Sequence, residues 1–333
     1  MRFKLTALFL ALVLLTAACG PAPQEEKVKA PGPEAVFQKL EIVSQPRKLS
    51  YETGETPDLT GLVINALYDD GGVIENVPYE LQTERIGKKT AALTVLCMEK
   101  TLNLPITVTV TGNKPEYSLA AVEEVKDSPV KGKTFFWLGS SVTYGAESEG
   151  ETMADFIGKK YGVITVKEAV SGTTLARYKE QSYCDRLDAF LKSDKKPGQV
   201  DAFICQLSTN DTSYYNQFGL VTPDFMTDPE LFDTNTAFGA MEYIIAVARR
   251  EWNCPVYFYT NPPTGKAAYG TLVEGLREIA GKWGVTVIDM YGDEEFNAIS
   301  DAERELYMAD GIHPTRAGYL KWWLPKFEEA LIH

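Results

Sequence analysis

Histidine is nearly absent from this chain: 333 residues contain two, and one of them, His333, is the last. That scarcity excludes a His-rich metal centre, and the pattern H-E-x-x-H does not occur. Cysteine is sparse as well. Cys97, Cys184, Cys205 and Cys254 fall at spacings that fit no zinc site, and no C-x-x-C pair occurs among the five cysteines. Cys205 and Cys254 sit in or beside very apolar runs, where a thiol behaves as a small hydrophobe. Buried free thiols are therefore expected, although export would permit a disulfide. Basic charge is also short: 33 Lys and Arg face 46 Asp and Glu, for a net charge of −13. A nucleic-acid partner needs a basic footprint that displaces counterions, and none is present. A G-x-S-x-G elbow and a phosphate-binding loop are missing too.

No continuous apolar run reaches the ~20 residues of a comfortable membrane span. The nearest, "LTALFLALVLLTAA", follows Arg2 and Lys4, ends in small residues and leads into Cys19. A basic start, an apolar middle and a small-residue end are the layout of an export signal over residues 1–18. Its last residues, "LTAAC", resemble a bacterial lipobox, with Thr16 where that pattern more often has leucine. The resemblance implies a lipid on Cys19 and a protein anchored to the outer face of a membrane. Residues 19–35, rich in Pro, Gly and charge, then read as a flexible tether.

Residues 36–112 alternate and turn instead of repeating with a helical period. Short β-branched runs such as "LEIVSQP", "AALTVLC" and "LNLPITVTV" are separated by Gly, Pro and Asp-Gly signals, which predicts a small all-β sandwich. "YETGETPDLTGLVINALYDDGGVIENV" resembles bacterial immunoglobulin-like surface modules, which implies a spacer or a glycan-binding surface. Cys97 has no partner inside the segment. Residues 113–130 form a linker. From 131 to 333, apolar runs ("TFFWLG", "GVITVKEA", "VDAFICQLS", "PVYFYT" and "VTVIDM") alternate with amphipathic ones such as "TAFGAMEYIIAVARREW" and "TLVEGLREIAGKWG". That alternation predicts an α/β domain on a parallel sheet covered on both faces. Ligands of such sheets bind at the carboxyl ends of the strands, so the polar residues there are the candidates for chemistry.

"GSSVTYG" (139–145) follows the first strand, "SGTT" (171–174) the second, "STND" (208–211) the third and "NPPTG" (261–265) the fourth; "DGIH" (310–313) precedes the last helix. The serine, glycine, asparagine and histidine blocks, in this order, resemble the SGNH hydrolases, the GDSL esterase and lipase superfamily. The resemblance implies a flavodoxin-like, doubly wound parallel sheet of five strands and no metal or organic cofactor. Carried over residue by residue, Ser141 is the nucleophile, Gly172 and Asn210 join the Ser141 N–H in an oxyanion hole, and Asp310 and His313 complete a triad. Two positions depart from the pattern: Ser140 stands where the family often has Asp, and Ser208 where the third block often has Gly.

The residue types suit that chemistry. A serine hydroxyl is a weak nucleophile until a base within hydrogen-bond reach takes its proton. His313 can act so if Asp310, three residues earlier, folds back onto the other ring nitrogen. Pro314 is expected to open the final helix, since proline suits the first turn. Tyr144, Tyr214 and Asn261 lie at strand ends and are candidates for a substrate pocket. Trp322 and Trp323 read as core. The implied reaction is hydrolysis of a carboxylic ester through an acyl-enzyme. O-acetyl groups on a polysaccharide are one candidate substrate, and small-molecule or lipid esters are others. Acyl transfer with the same residues and a non-catalytic glycan-binding surface protein are the alternatives.

Overall fold

The computed structural model describes residues 28–332. The export signal, Cys19 and His333 lie outside the described residues. Those that are described fall into two compact units, each formed from more than one stretch of chain.

The N-terminal region carries β1 (Phe37–Ser44), β2 (Ser50–Glu52), β3 (Val63–Tyr68), β4 (Val73–Ile74), β5 (Glu80–Leu81), β6 (Ala92–Cys97), β7 (Lys100–Pro105) and β8 (Thr107–Thr109). The first unit, residues 28–49, 57–84 and 93–104, is all-β and holds two three-stranded sheets, β1-β3-β4 and β5-β6-β7. Strand alternation builds its core. Ile64 and Ala66 of β3, and Leu93, Val95 and Cys97 of β6, are buried while the residues between them are more exposed.

The second unit, residues 50–56, 85–92 and 105–332, contains the parallel β2-β8 pair and a five-stranded sheet. That sheet is made of β9 (Thr134–Gly139), β10 (Ile164–Ala169), β11 (Ala202–Gln206), β12 (Val256–Tyr259) and β13 (Thr286–Ile288). All neighbours are parallel and the order is β10-β9-β11-β12-β13, the flavodoxin-like arrangement. The apolar runs are continuous because both faces are covered. In β9, Phe136 and Leu138 enter one core cluster with Leu187, Ile244 and Leu272. Phe135 and Trp137 enter the other with Phe156, Trp323 and Phe327. Helices α3 (Tyr183–Leu191), α4 (Ala237–Trp252) and α5 (Ala267–Trp283) thus cover one face; α2 (Met153–Tyr161) and α8 (Leu324–Leu331) cover the other. Cys97, Cys184, Cys205 and Cys254 are buried free thiols.

Short elements escape the sequence periodicities. A four-residue α1 (Ser141–Tyr144) follows β9, and α6 (Glu294–Asn297) and α7 (Asp301–Tyr307) precede the last helix. Pro314 does not open that helix. It bridges to Met308, and helical backbone begins at Arg316. Thr315 wins the capping position because its hydroxyl accepts the Gly318 N–H at 3.2 Å, a bond proline cannot make. The helix then passes through a π-helical stretch, Gly318–Trp323, before α8.

Candidate active site

The strand order reverses between β9 and β11, and the polar blocks collect at the carboxyl ends of those strands and their neighbours. Ser141 opens α1 directly after β9 and is mostly buried. Its Oγ lies 2.8 Å from His313 Nε2. The His313 ring lies in the loop after α7, with Nδ1 at 2.9 Å and 3.1 Å from the two Asp310 carboxylate oxygens. Asp310 Oδ1 also accepts the Ile312 and His313 backbone N–H groups, each at 2.8 Å. These bonds close a tight turn in which the carboxylate holds both the loop and the ring.

Burial pushes the Asp310 carboxyl up, but the His313 ring and the backbone N–H groups of His313 and Ile312 outweigh it, leaving the pKa below its ordinary value. The carboxylate is therefore ionised at neutral pH and can only accept. Nδ1 must carry the ring proton, and the Nε2 lone pair is left facing the Ser141 hydroxyl. This is the tautomer a general base requires.

Gly172 lies in the loop after β10 at φ +78°, in the left-handed region, and a Cβ there would meet nothing within 4 Å. Conformation, not space, requires glycine at this point. Asn210 begins a 3-10 turn after β11. Its Nδ2 donates to the Thr173 carbonyl at 2.9 Å, which ties the third block to the second and leaves one amide proton for another acceptor. The two departures from the family pattern both have structural work. Ser208 Oγ donates to the same Thr173 carbonyl at 3.3 Å and accepts the Asn210 N–H at 3.1 Å. Ser140 donates its hydroxyl to Gln206 Oε1 at 3.4 Å, beside its own backbone N–H at 2.9 Å.

The three proposed pocket residues have different surroundings. Asn261 is fully buried and donates from Nδ2 to the Ile312 carbonyl at 2.9 Å, so it anchors the histidine loop from below. Tyr144 is half-exposed at the end of α1. Tyr214 stacks on Tyr178 with ring centroids 4.3 Å apart.

Three supporting side chains were not singled out from sequence. Gln206 Oε1 also accepts from Thr143 Oγ1 at 2.9 Å and Thr143 N–H at 3.3 Å, so one amide oxygen organises the turn that carries Ser141. Asp211, fully buried, accepts the Leu175 and Ala176 N–H groups at 2.9 Å and 3.3 Å. Burial drives its carboxyl up to about 6, with the Leu175 N–H, the Ser208 hydroxyl and the Ala176 N–H pulling back. Arg186, nearly buried, donates to the Gly139 and Glu168 carbonyls at 2.7 Å and 2.9 Å, joining the ends of β9 and β10. The signal for Gln206 was present: it is a polar residue at the end of an otherwise apolar strand, where burial demands partners.

Among solved structures, the chain is similar to a protein from Lactobacillus plantarum, with 18% identity over 61% of this chain and 97% of that one, at a TM-score of 0.49. It is also similar to a member of the lipolytic protein G-D-S-L family from Veillonella parvula (15% identity, 60% and 98% of the two chains, TM-score 0.44). An acetyl xylan esterase from Geobacillus stearothermophilus is a third (13% identity, 60% and 94%, TM-score 0.41). A search of curated proteins finds no match. The family described as GDSL-like lipase/acylhydrolase matches residues 137–321, the stretch that runs from β9 to the π-helical turn and encloses every block above. With more than half its length in that match, the chain belongs to the GDSL-like lipase/acylhydrolase family.

Proposed function

We propose that the protein is a serine esterase that cleaves carboxylic esters through an acyl-enzyme on Ser141. The reading rests on one observation, the continuous chain of contacts from Asp310 through the His313 ring to Ser141 Oγ. In this reaction Ser141 Oγ attacks the ester carbonyl carbon while its proton passes to His313 Nε2. Asp310 stabilises the imidazolium that results. The carbonyl oxygen becomes an oxyanion, received by the Ser141 and Gly172 N–H groups and the remaining amide proton of Asn210. Collapse breaks the ester C–O bond, and His313 returns the proton to the departing alcohol. Water then repeats the two proton transfers, releasing the acid and restoring the serine. The chemistry draws on protein groups alone. Losing one oxyanion donor costs about 2.7–4 kcal/mol of transition-state stabilisation.

The export signal and the Cys19 lipid place this enzyme, in our reading, on the outer face of a membrane. There the immunoglobulin-like segment serves as a spacer and small acyl groups on envelope polysaccharide are the favoured substrates.

The test needs no knowledge of substrate. The protein is treated with a fluorophosphonate and the adduct mapped by peptide mass spectrometry, with His313→Ala alongside. Labelling at Ser141 that is lost in the variant is expected. An unlabelled Ser141 in demonstrably folded protein would sink the proposal.

A further inference from the structure

The loops that carry Ser141 and His313 are fastened to each other by residues upstream of the family match. Asn113, at the start of the predicted linker, bonds in two opposite directions. Its Nδ2 donates to the Glu147 carbonyl at 2.8 Å, and its Oδ1 accepts the Arg316 N–H at 2.9 Å. Glu147 lies in the loop between α1 and α2, just after the nucleophile. Arg316 is the first helical residue after His313. One side chain therefore spans the two loops, and it also satisfies one of the N–H groups that every helix start leaves open.

The neighbours lock this arrangement. Arg316 Nη1 donates back to the Asn113 carbonyl at 3.1 Å, and its guanidinium pairs with Glu149 at 2.9 Å and Glu151 at 2.8 Å in the same α1–α2 loop. Lys88, from the 85–92 stretch, forms an ion pair with the Glu147 carboxylate. At Gly112 the chain passes so close to the histidine side that an added Cβ would lie 2.1 Å from the Leu306 carbonyl and 2.3 Å from Thr315 Oγ1. Only glycine permits that approach.

We propose that Asn113 is a positioning residue for the Ser141–His313 pair, holding the loop after the nucleophile at a fixed distance from the helix after the histidine. The inference rests on the esterase reading, since it assumes that the 2.8 Å Ser141–His313 contact does chemistry. These two residues come from opposite ends of the domain, and a misplacement of about 1 Å between reacting groups can cost about 100-fold in rate. No other side chain of this size offers one donor and one acceptor in the required directions. Aspartate keeps the acceptor for Arg316 but turns an oxygen toward the Glu147 carbonyl.

The test compares the full chain, purified in mild detergent, with Asn113→Ala and Asn113→Asp. Active sites are first counted by complete fluorophosphonate labelling of Ser141, and hydrolysis of p-nitrophenyl acetate is then expressed per labelled site. Both variants are expected to lose about 10- to 100-fold in kcat per labelled serine, with KM changed less than about twofold. A role in folding alone would lower the number of labelled sites and leave turnover per site at the parent's value; that result overturns the proposal. If Asn113→Ala fails to fold, the isosteric Asn113→Asp decides by the same criterion. A folded parent that never labels at Ser141 is a different result. It overturns the esterase reading itself and removes the inference with it.

Discussion

At the scale of single residues, Gln206 shows how one side chain on a neighbouring strand can organise a whole turn. The turn after β9 must present Ser141 and bury the polar groups around it. Beside Ser141 stands Ser140, whose short side chain does not organise the turn by itself. Gln206 supplies the acceptor from the neighbouring strand, taking the N–H groups of Ser140 and Thr143 on one oxygen. Gln206→Leu keeps the volume and removes the acceptor. It would strand two buried N–H groups, each costing about 1–3 kcal/mol. The expected outcome is a destabilisation of about 2–6 kcal/mol in urea unfolding, together with a fall of at least about tenfold in kcat as Ser141 drifts. A folded Gln206→Leu enzyme with the parent's kcat would show that the turn holds itself.

At the scale of elements, α3 does more than cover the sheet. It carries Arg186, whose guanidinium reaches the carbonyls of Gly139, Glu168 and Gln181 and the Thr173 hydroxyl, so one fork gathers β9, β10 and the Gly172 loop. Lysine retains the charge but presents a point donor in place of a planar fork. Arg186→Lys is therefore expected to lose about 2–3 kcal/mol of stability. It should also lower kcat, because the Gly172 donor moves with the loop. Equal melting temperatures for variant and parent would count against the clamp. The same region shows what sequence reading can reach. All five strands of the sheet were legible, because each is an apolar run bounded by polar turns, and so were α4 and α5, whose periodic faces are long. Three of the four blocks were legible because each lies beside a strand end, and the fourth, Asp310–His313, because it stands just before the last helix. The four-residue α1 and the π-helical turn were not, since neither is long enough to establish a period. Pro314 was assigned the wrong post because local propensity favoured it, while the Thr315 hydroxyl and the bridge to Met308 decided the matter. Arg186, Asp211 and Asn113 stayed hidden for another reason. Their partners are far away in sequence, and a buried fork or a two-way amide leaves no local pattern.

At the scale of the whole molecule, acid should strengthen the second unit before it weakens it. The sign follows from the two carboxylates of the site. Asp310 has its pKa held below 3.8, so its contribution is present above the unfolded value and lost only as pH falls through the lowered one. Asp211 is opposite. Its carboxyl sits at about 6 in the folded chain against 3.8 unfolded, because burial disfavours the charge more than its hydrogen bonds favour it. The stability it contributes is fully present below pH 3.8 and is lost as pH rises through about 6. Between pH 7.5 and pH 5 that one group should add on the order of 1 kcal/mol. The net charge of −13 acts in the same direction, since titrating surface carboxylates relieves repulsion across the chain. Asp211→Asn separates the two effects, because it cannot titrate but shares the rest of the surface. All five tryptophans, Trp137, Trp252, Trp283, Trp322 and Trp323, belong to the second unit, so their fluorescence reports its unfolding without contribution from the β-rich one. Urea midpoints followed by tryptophan emission at pH 7.5, 6 and 5 should rise for the parent. The rise should be smaller for Asp211→Asn by on the order of 1 kcal/mol over the same window. Parallel curves for the two proteins would mean that Asp211 is already neutral at pH 7.5 or still ionised at pH 5, and the account of how the Gly172 loop is held would have to change.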